Sequence, residues 1–127
     1  MEPAFLGLEE VLEIHLDQLR RHGGSEGLRD AGLLESALAA PRAGMGGQYF
    51  HGDLFEMAAA YLFHLSRNHP FVDGNKRTAA VAALVFLELN GMEIRANPRA
   101  YEDLVVSVAS GKAGKADAAG FFRAHAR

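Results

Sequence analysis

The chain has 127 residues and a mass of 13.7 kDa, the size of one ordinary domain with no room for a second full core. At 49% hydrophobic and 23% charged residues it has globular rather than disordered composition. With no cysteine and a net charge of −3, it has no disulfide framework, thiolate metal site or cysteine nucleophile, and no broad basic surface for nucleic acid is expected.

The 22 Ala and 16 Leu outweigh 7 Val, 2 Ile and 1 Thr. Ala and Leu favour helix and β-branched residues favour strand, so an all-α fold is predicted. The first helix is expected from about Leu8 to Arg21. There Leu8, Val11, Leu12, His15, Leu16 and Leu19 recur at helical spacing, and Gly23-Gly24 stops it. A polar loop, Ser25–Asp30, follows. Asp30 is placed to cap a second helix over Ala31–Ala40 with Leu33, Leu34, Ala37 and Leu38 inward, ended by Pro41. Pro41–Gly52 is glycine-rich and irregular, either a functional loop or a plain connector.

Asp53-Leu-Phe-Glu56 reads as a capping-box start. The helix it opens, to about Arg67, is apolar nearly all round, which marks a buried central helix. A second such helix is expected over Asn75–Leu89, stopped by Asn90-Gly91. Alanines at 58–60 and at 79, 80, 82 and 83 let the two approach closely. Met92–Ala96 reads as a short extended piece. Asn97 is placed to cap a helix from Pro98 carrying Tyr101, Leu104, Val105 and Val108. Gly111–Lys115 reads as a link, and Asp117 as the cap of a last short helix with Phe121 and Phe122. Acidic residues stand where a signal peptide carries Lys or Arg. The longest apolar stretches, Met57–Phe63 and Thr78–Leu87, are too short to span a bilayer. The expectation is a cytoplasmic protein that binds neither membrane nor DNA.

The densest cluster of reactive groups, Asn68 to Thr78, lies between the two most apolar helices. Gly74 and Asn75 stand at a helix start, where free N–H groups and the dipole favour an anion and glycine permits close approach. Lys76 and Arg77 add charges suited to phosphate oxygens. Without an anion they oppose the dipole, by on the order of some tenths of a kcal/mol. Asp73 is a hard oxygen ligand of the kind that holds Mg²⁺ against phosphates. His69 is a general base for neutral pH. Base, metal ligand and phosphate cradle within nine residues describe phosphoryl or nucleotidyl transfer. The plainer use of the same residues is a structural His before Pro and a solvated Lys-Arg pair.

The segment His69-Pro-Phe-Val-Asp-Gly-Asn-Lys-Arg77 resembles the signature of the Fic/Doc superfamily, His-Pro-Phe-x-(Asp/Glu)-Gly-Asn-(Gly/Lys)-Arg, at every fixed position. The segments Phe5–Glu10, Gly27–Leu38, Asp53–Glu56 and Leu84–Gly91 resemble its short Doc branch, named for death on curing. The resemblance implies one Fic/Doc domain over residues 1–127. Its fold is a compact helical bundle with the motif on a loop and helix start between two buried helices. It implies an ATP-dependent transferase using Mg²⁺. His69 is then the base that deprotonates a target hydroxyl, Asp73 holds the metal, and Gly74, Asn75, Lys76 and Arg77 bind nucleotide phosphates. Phe71 anchors the loop, and Pro41–Gly52 falls where the family carries a flap that aligns the target.

Two branches differ in outcome. Fic enzymes transfer AMP to a protein hydroxyl. Doc toxins turn the nucleotide round and transfer phosphate to elongation factor Tu, which arrests translation. AMP-transferring sequences carry Gly where this chain has Lys76, and a second Arg where it has Ala80. The Doc reading, a kinase-like toxin, is therefore favoured over protein AMP transfer, although Gly74 replaces an Ala of some Doc sequences. No serine or threonine starts the inhibitory pattern (Ser/Thr)-x-x-x-Glu-(Gly/Asn), so a small antitoxin partner is expected. Grooves beside Leu8–Arg21 and Pro98–Val108 are its candidate docking surfaces. Two other classes stay in view: a non-catalytic nucleotide-binding module, and a metal-dependent hydrolase using His51, His64, His69 and Asp73.

Overall fold

Alanine and leucine periodicity produces helix almost throughout. The computed structural model describes residues 2–127. Within them lie six α-helices: α1 (Leu8–His22), α2 (Ala31–Ala39), α3 (Leu54–Asn68), α4 (Asn75–Leu89), α5 (Pro98–Ala109) and α6 (Lys115–His125). A small antiparallel hairpin, β1 (Gly44–Met45) and β2 (Gln48–Tyr49), stands between α2 and α3. The fold is all-α, as the composition predicts.

α3 is the central element. It packs against α4 and α6 most extensively, and against α2 and α5. Ala58, Ala59, Ala60, Tyr61 and Leu62 on α3 have no exposed surface, nor do Ala79, Ala82, Ala83, Phe86 and Leu87 on α4. Small side chains bring the two backbones close, and the larger ones fill the space around them. The buried Tyr61 hydroxyl is satisfied by Leu6, donating to its carbonyl at 3.2 Å and accepting from its N–H at 2.9 Å. The chain leading into α1 is thereby fixed on the core.

Caps follow the sequence at three helices. Asp30 accepts from Leu33 N–H at 2.9 Å. Asp53 accepts from Glu56 N–H at 2.8 Å, and Asn97 from Arg99 N–H at 2.8 Å. The last helix departs from expectation: it begins at Lys115, and Asp117 sits in its first turn, reaching back to Gly114 N–H at 2.9 Å. From the third helical position its carboxylate satisfies the N–H that precedes the helix, where a residue in front would cap the N–H groups of the first turn.

Two further details go beyond the sequence reading. The apolar stripe of α1 is wider than the surface that covers it. Val11, His15 and Leu19 are buried, while Leu8, Leu12 and Leu16 are 36–45% exposed, because α4 is the helix α1 packs against. Pro41 does not simply end α2; it is buried inside a 3₁₀ turn, Ala40–Arg42, that continues the helix. The irregular stretch beyond it folds into the hairpin. Gly46 and Gly47 form its turn with φ of 61° and 81°, the conformation that suits a two-residue hairpin loop. A Cβ on Gly44 would lie 2.2 Å from the Gln48 carbonyl oxygen, so no other residue fits there. Met92–Ala96 is extended as expected, and Ile94 bridges to Ala126.

Candidate active site

The site is built where α3 stops and α4 starts. α3 ends at His69, which has φ 50° and ψ 54° and is the one non-glycine residue with positive φ among those described. A left-handed residue turns the chain sharply out of the helix. Pro70 and Phe71 then drive it into the core, with Phe71 2% exposed. Val72 and Asp73 return to the surface, and Gly74 (φ 79°) opens α4 with no side-chain cap.

Three sets of contacts hold this loop. Asn75 closes it from within: its Oδ1 accepts from Phe71 N–H and its Nδ2 donates to the Phe71 carbonyl, both at 2.9 Å. Residues 27–30 pair with it from outside. Pro70 O accepts from the N–H groups of Arg29 and Asp30, and Gly27 O accepts from Val72 N–H, at 2.8–3.0 Å. The Arg29 guanidinium also donates to the carbonyls of His69 (2.7 Å) and Asn68 (3.0 Å), completing the C-terminus of α3. His15 holds it from below. Its ring stacks on Phe71 at 3.7 Å and 7°, and its Nε2–H donates to the Asp73 carbonyl at 2.8 Å.

Asp73 is oriented by backbone donors. Its carboxylate accepts from Ser25 N–H at 3.1 Å and from Gly74 N–H at 2.8 Å. These two bonds, that of Ser25 first, hold its carboxyl below the ordinary carboxylate range, so it is an anion at neutral pH. Gly24 makes the approach possible. Its φ is 125°, and a Cβ there would meet Asp73 Oδ2 at 2.9 Å.

The residues singled out from the sequence come together. His69, Asp73, Gly74, Asn75, Lys76 and Arg77 line one cavity of about 420 Å³. His69, Lys76 and Arg77 are exposed, and neither cation makes an ion pair among the described residues. The amide side chain of Asn75 is committed to Phe71, so what this residue offers an anion is its backbone N–H. Each Asp73 oxygen accepts one hydrogen bond, and on this exposed residue that leaves acceptor capacity for a cation. That donor set fits Mg²⁺, which takes one carboxylate, phosphate oxygens and several waters rather than an all-protein cage.

Sequence reading missed His15, Gly24, Ser25 and Arg29. The signals existed: a His on the apolar stripe of α1, and a Gly-Gly pair beyond it. His51 and His64 lie elsewhere. Both ring Nε2 atoms accept from Lys115 Nζ at 3.4 Å, and neither ring lines this cavity. No cluster of three metal-binding side chains exists among the described residues. The four-residue hydrolase site is thus not assembled.

Comparison with known proteins agrees with the motif. The model of the Fic/DOC family matches residues 5–87. Among curated proteins, the chain is 47% identical over 91 residues to a protein named Toxin Doc from Mycolicibacterium smegmatis, covering 69% of each chain. It is 38% identical over 104 residues to one named Protein kinase doc from Escherichia phage P1, covering 82% of this chain and 81% of that one.

Proposed function

The chain belongs to the Fic/DOC family, and on that premise we propose that it is the toxin of a toxin–antitoxin pair. It moves the γ-phosphate of ATP to a side-chain hydroxyl of a translation factor in the cytoplasm, elongation factor Tu being the proposed target. The observation that carries this reading is the single cavity shared by an exposed imidazole, an anionic carboxylate and the open, doubly cationic start of α4. The names of the two relatives, a toxin and a protein kinase, point the same way.

The roles follow from chemistry. The backbone N–H groups of Asn75 and Lys76, with the Lys76 and Arg77 side chains, hold the phosphates and balance their charge. His69 accepts the proton of the target hydroxyl as its oxygen bonds to the γ-phosphorus. The bond from that phosphorus to the β,γ-bridging oxygen breaks, and ADP leaves. Asp73 holds Mg²⁺, which when bound neutralises charge on the phosphate oxygens. Of the two grooves named from the sequence, the one beside α1 presents Leu8, Leu12 and Leu16 with Leu28, all 36–46% exposed. There we place the small antitoxin, since an apolar stripe of this kind marks a partner surface.

The test uses ATP labelled separately on its α- and γ-phosphates, with a lysate or the purified factor as acceptor. Transfer of the γ-label alone is expected. His69→Ala should lower it by about 10²–10⁴ while the helical circular dichroism is unchanged. Transfer of the α-label, with a mass gain of one AMP, would instead establish AMP transfer.

A further inference from the structure

The left-handed turn at His69 has no local support. A helix that ends on such a residue is normally closed by two backbone N–H groups, that of the left-handed residue and that of the next, which bond back to the last turn. Here the next residue is Pro70, whose nitrogen carries no hydrogen. The His69 N–H makes no backbone hydrogen bond among the described residues. A non-glycine residue persists in this conformation only where the surrounding structure over-determines it.

We propose that Arg29 is a positioning residue for the transfer reaction, locking the His69 backbone in the turn that aims the imidazole into the cavity. This rests on the reading of His69 as the base and deepens it. The first observation is the pair of carbonyls that Arg29 takes. Its Nε donates to the His69 carbonyl at 2.7 Å and its Nη2 to the Asn68 carbonyl at 3.0 Å. Those carbonyls belong to the two peptide planes on either side of the His69 Cα, and the angle between the planes is set by φ and ψ of His69. A rigid planar fork that holds both planes fixes both angles. The second observation is that the fork starts from a fixed point. Arg29 N–H donates to the Pro70 carbonyl at 2.8 Å, and the next residue, Asp30, caps α2. The third is that Arg29 does not line the cavity. It therefore acts through His69 and not on the phosphates.

The two planes also set the direction in which the imidazole leaves the backbone. Relaxed to the extended conformation that normally precedes proline, His69 would point its ring elsewhere. A misplacement of about 1 Å costs on the order of 10²-fold in rate.

The test compares wild type, Arg29→Met and Arg29→Lys as full chains, with helical circular dichroism as the check on folding. Arg29 is exposed, so its loss opens no core. Methionine keeps a flexible stem without donors, and lysine keeps the charge without the fork. For label transfer from ATP, kcat should fall about 30-fold in Arg29→Met and about tenfold in Arg29→Lys, with KM for ATP within about twofold of wild type. In a His69→Ala background, Arg29→Met should lower the residual transfer by less than about twofold, since no imidazole remains to be aimed. A general loss of structure would lower both backgrounds alike. By NMR, the imidazole C–H resonances of His69, assigned by their absence in His69→Ala, should shift or broaden in both Arg29 variants. The methyl resonances of Leu62 and Leu65 in the core of α3 should stay in place. Equal losses in the two backgrounds, or full kcat with unmoved His69 resonances, overturn the proposal. A wild-type chain that transfers no label overturns the reading of the reaction, and the His69 resonances then decide alone whether Arg29 fixes the turn.

Discussion

At the scale of the residue, Asp73 joins two tasks. Its side chain faces the cavity, and its carbonyl is gripped by His15. Asp73→Asn keeps the shape but removes the charge, and its amide nitrogen is a donor only, so one of the two backbone N–H groups loses its acceptor. Transfer at limiting Mg²⁺ should fall by about tenfold or more, and excess Mg²⁺ should restore part of it. Chelator should imitate the substitution on wild type. Transfer indifferent to both treatments would remove the metal from the mechanism. Thr78 is the opposite case. Its hydroxyl is buried inside the motif's helix with no hydrogen-bond partner among the described residues, and such a group costs stability. Thr78→Val, which keeps the branch and drops the orphan, should stabilise the fold by about 1 kcal/mol, read as a higher urea midpoint.

At the scale of the element, α6 is fastened to α3 by polar contacts around Lys115. Its ammonium donates to His64 of α3 and to His51 at the foot of the hairpin, and it lies over the Phe63 ring at 5.5 Å. Arg123 adds an ion pair to Asp53 at 2.9 Å. Burial, then the Lys115 charge, lowers the pKa of His64 to about 4, and the same two causes lower that of His51. The sign of the linkage follows. Above pH 6.5 both folded and unfolded chains hold these rings neutral, and stability is full. As pH falls from 6.5 towards 4 the unfolded chain gains protons that the folded chain refuses, and stability is lost. Urea midpoints should therefore drop between pH 7.5 and pH 5.5, above the range in which ordinary carboxylates titrate. Lys115→Met should shrink the drop without abolishing it, because burial remains. A midpoint flat across that interval would contradict the assignment.

How far the elements were legible follows from how local their causes are. The caps at Asp30, Asp53 and Asn97 act within three residues of their own helix, so sequence places those starts. The loop from His69 to Arg77 carries its reactive groups consecutively, and the ring that Asn75 closes on Phe71 spans four positions. What binds that loop to the molecule is remote. His15 reaches Asp73 across 58 residues, and Arg29 reaches His69 across 40. No periodicity records such a pairing. The hairpin escaped because its four strand residues are too few to alternate. How much of the α1 face is covered was not legible, because a stripe shows which residues are apolar, not how much of it a neighbour covers.

At the scale of the whole molecule, the candidate active site is a graft of three segments on one rigid pair of helices. α3 and α4 form the core and carry the motif between them. α1 and the segment after it supply the supports, and the hairpin stands beside the α3 entrance. No residue of an inhibitory serine or threonine pattern guards the cavity, and the open start of α4 has no cap of its own. On the proposed reading, a chain built this way is active once folded and is restrained by another protein. Expressed alone in a bacterium, it should halt growth, with protein synthesis failing before replication or membrane integrity. His69→Ala should be tolerated at the same level, since the exposed imidazole supports no part of the core. That variant should still capture a small protein encoded beside it, because the α1 face with Leu8, Leu12 and Leu16 is separate from the imidazole. Leu12→Glu in the active chain should then leave toxicity intact but prevent rescue by that protein. Equal growth of wild type and His69→Ala, with the wild-type protein abundant and folded, would refute the toxin reading and leave the family and the fold standing.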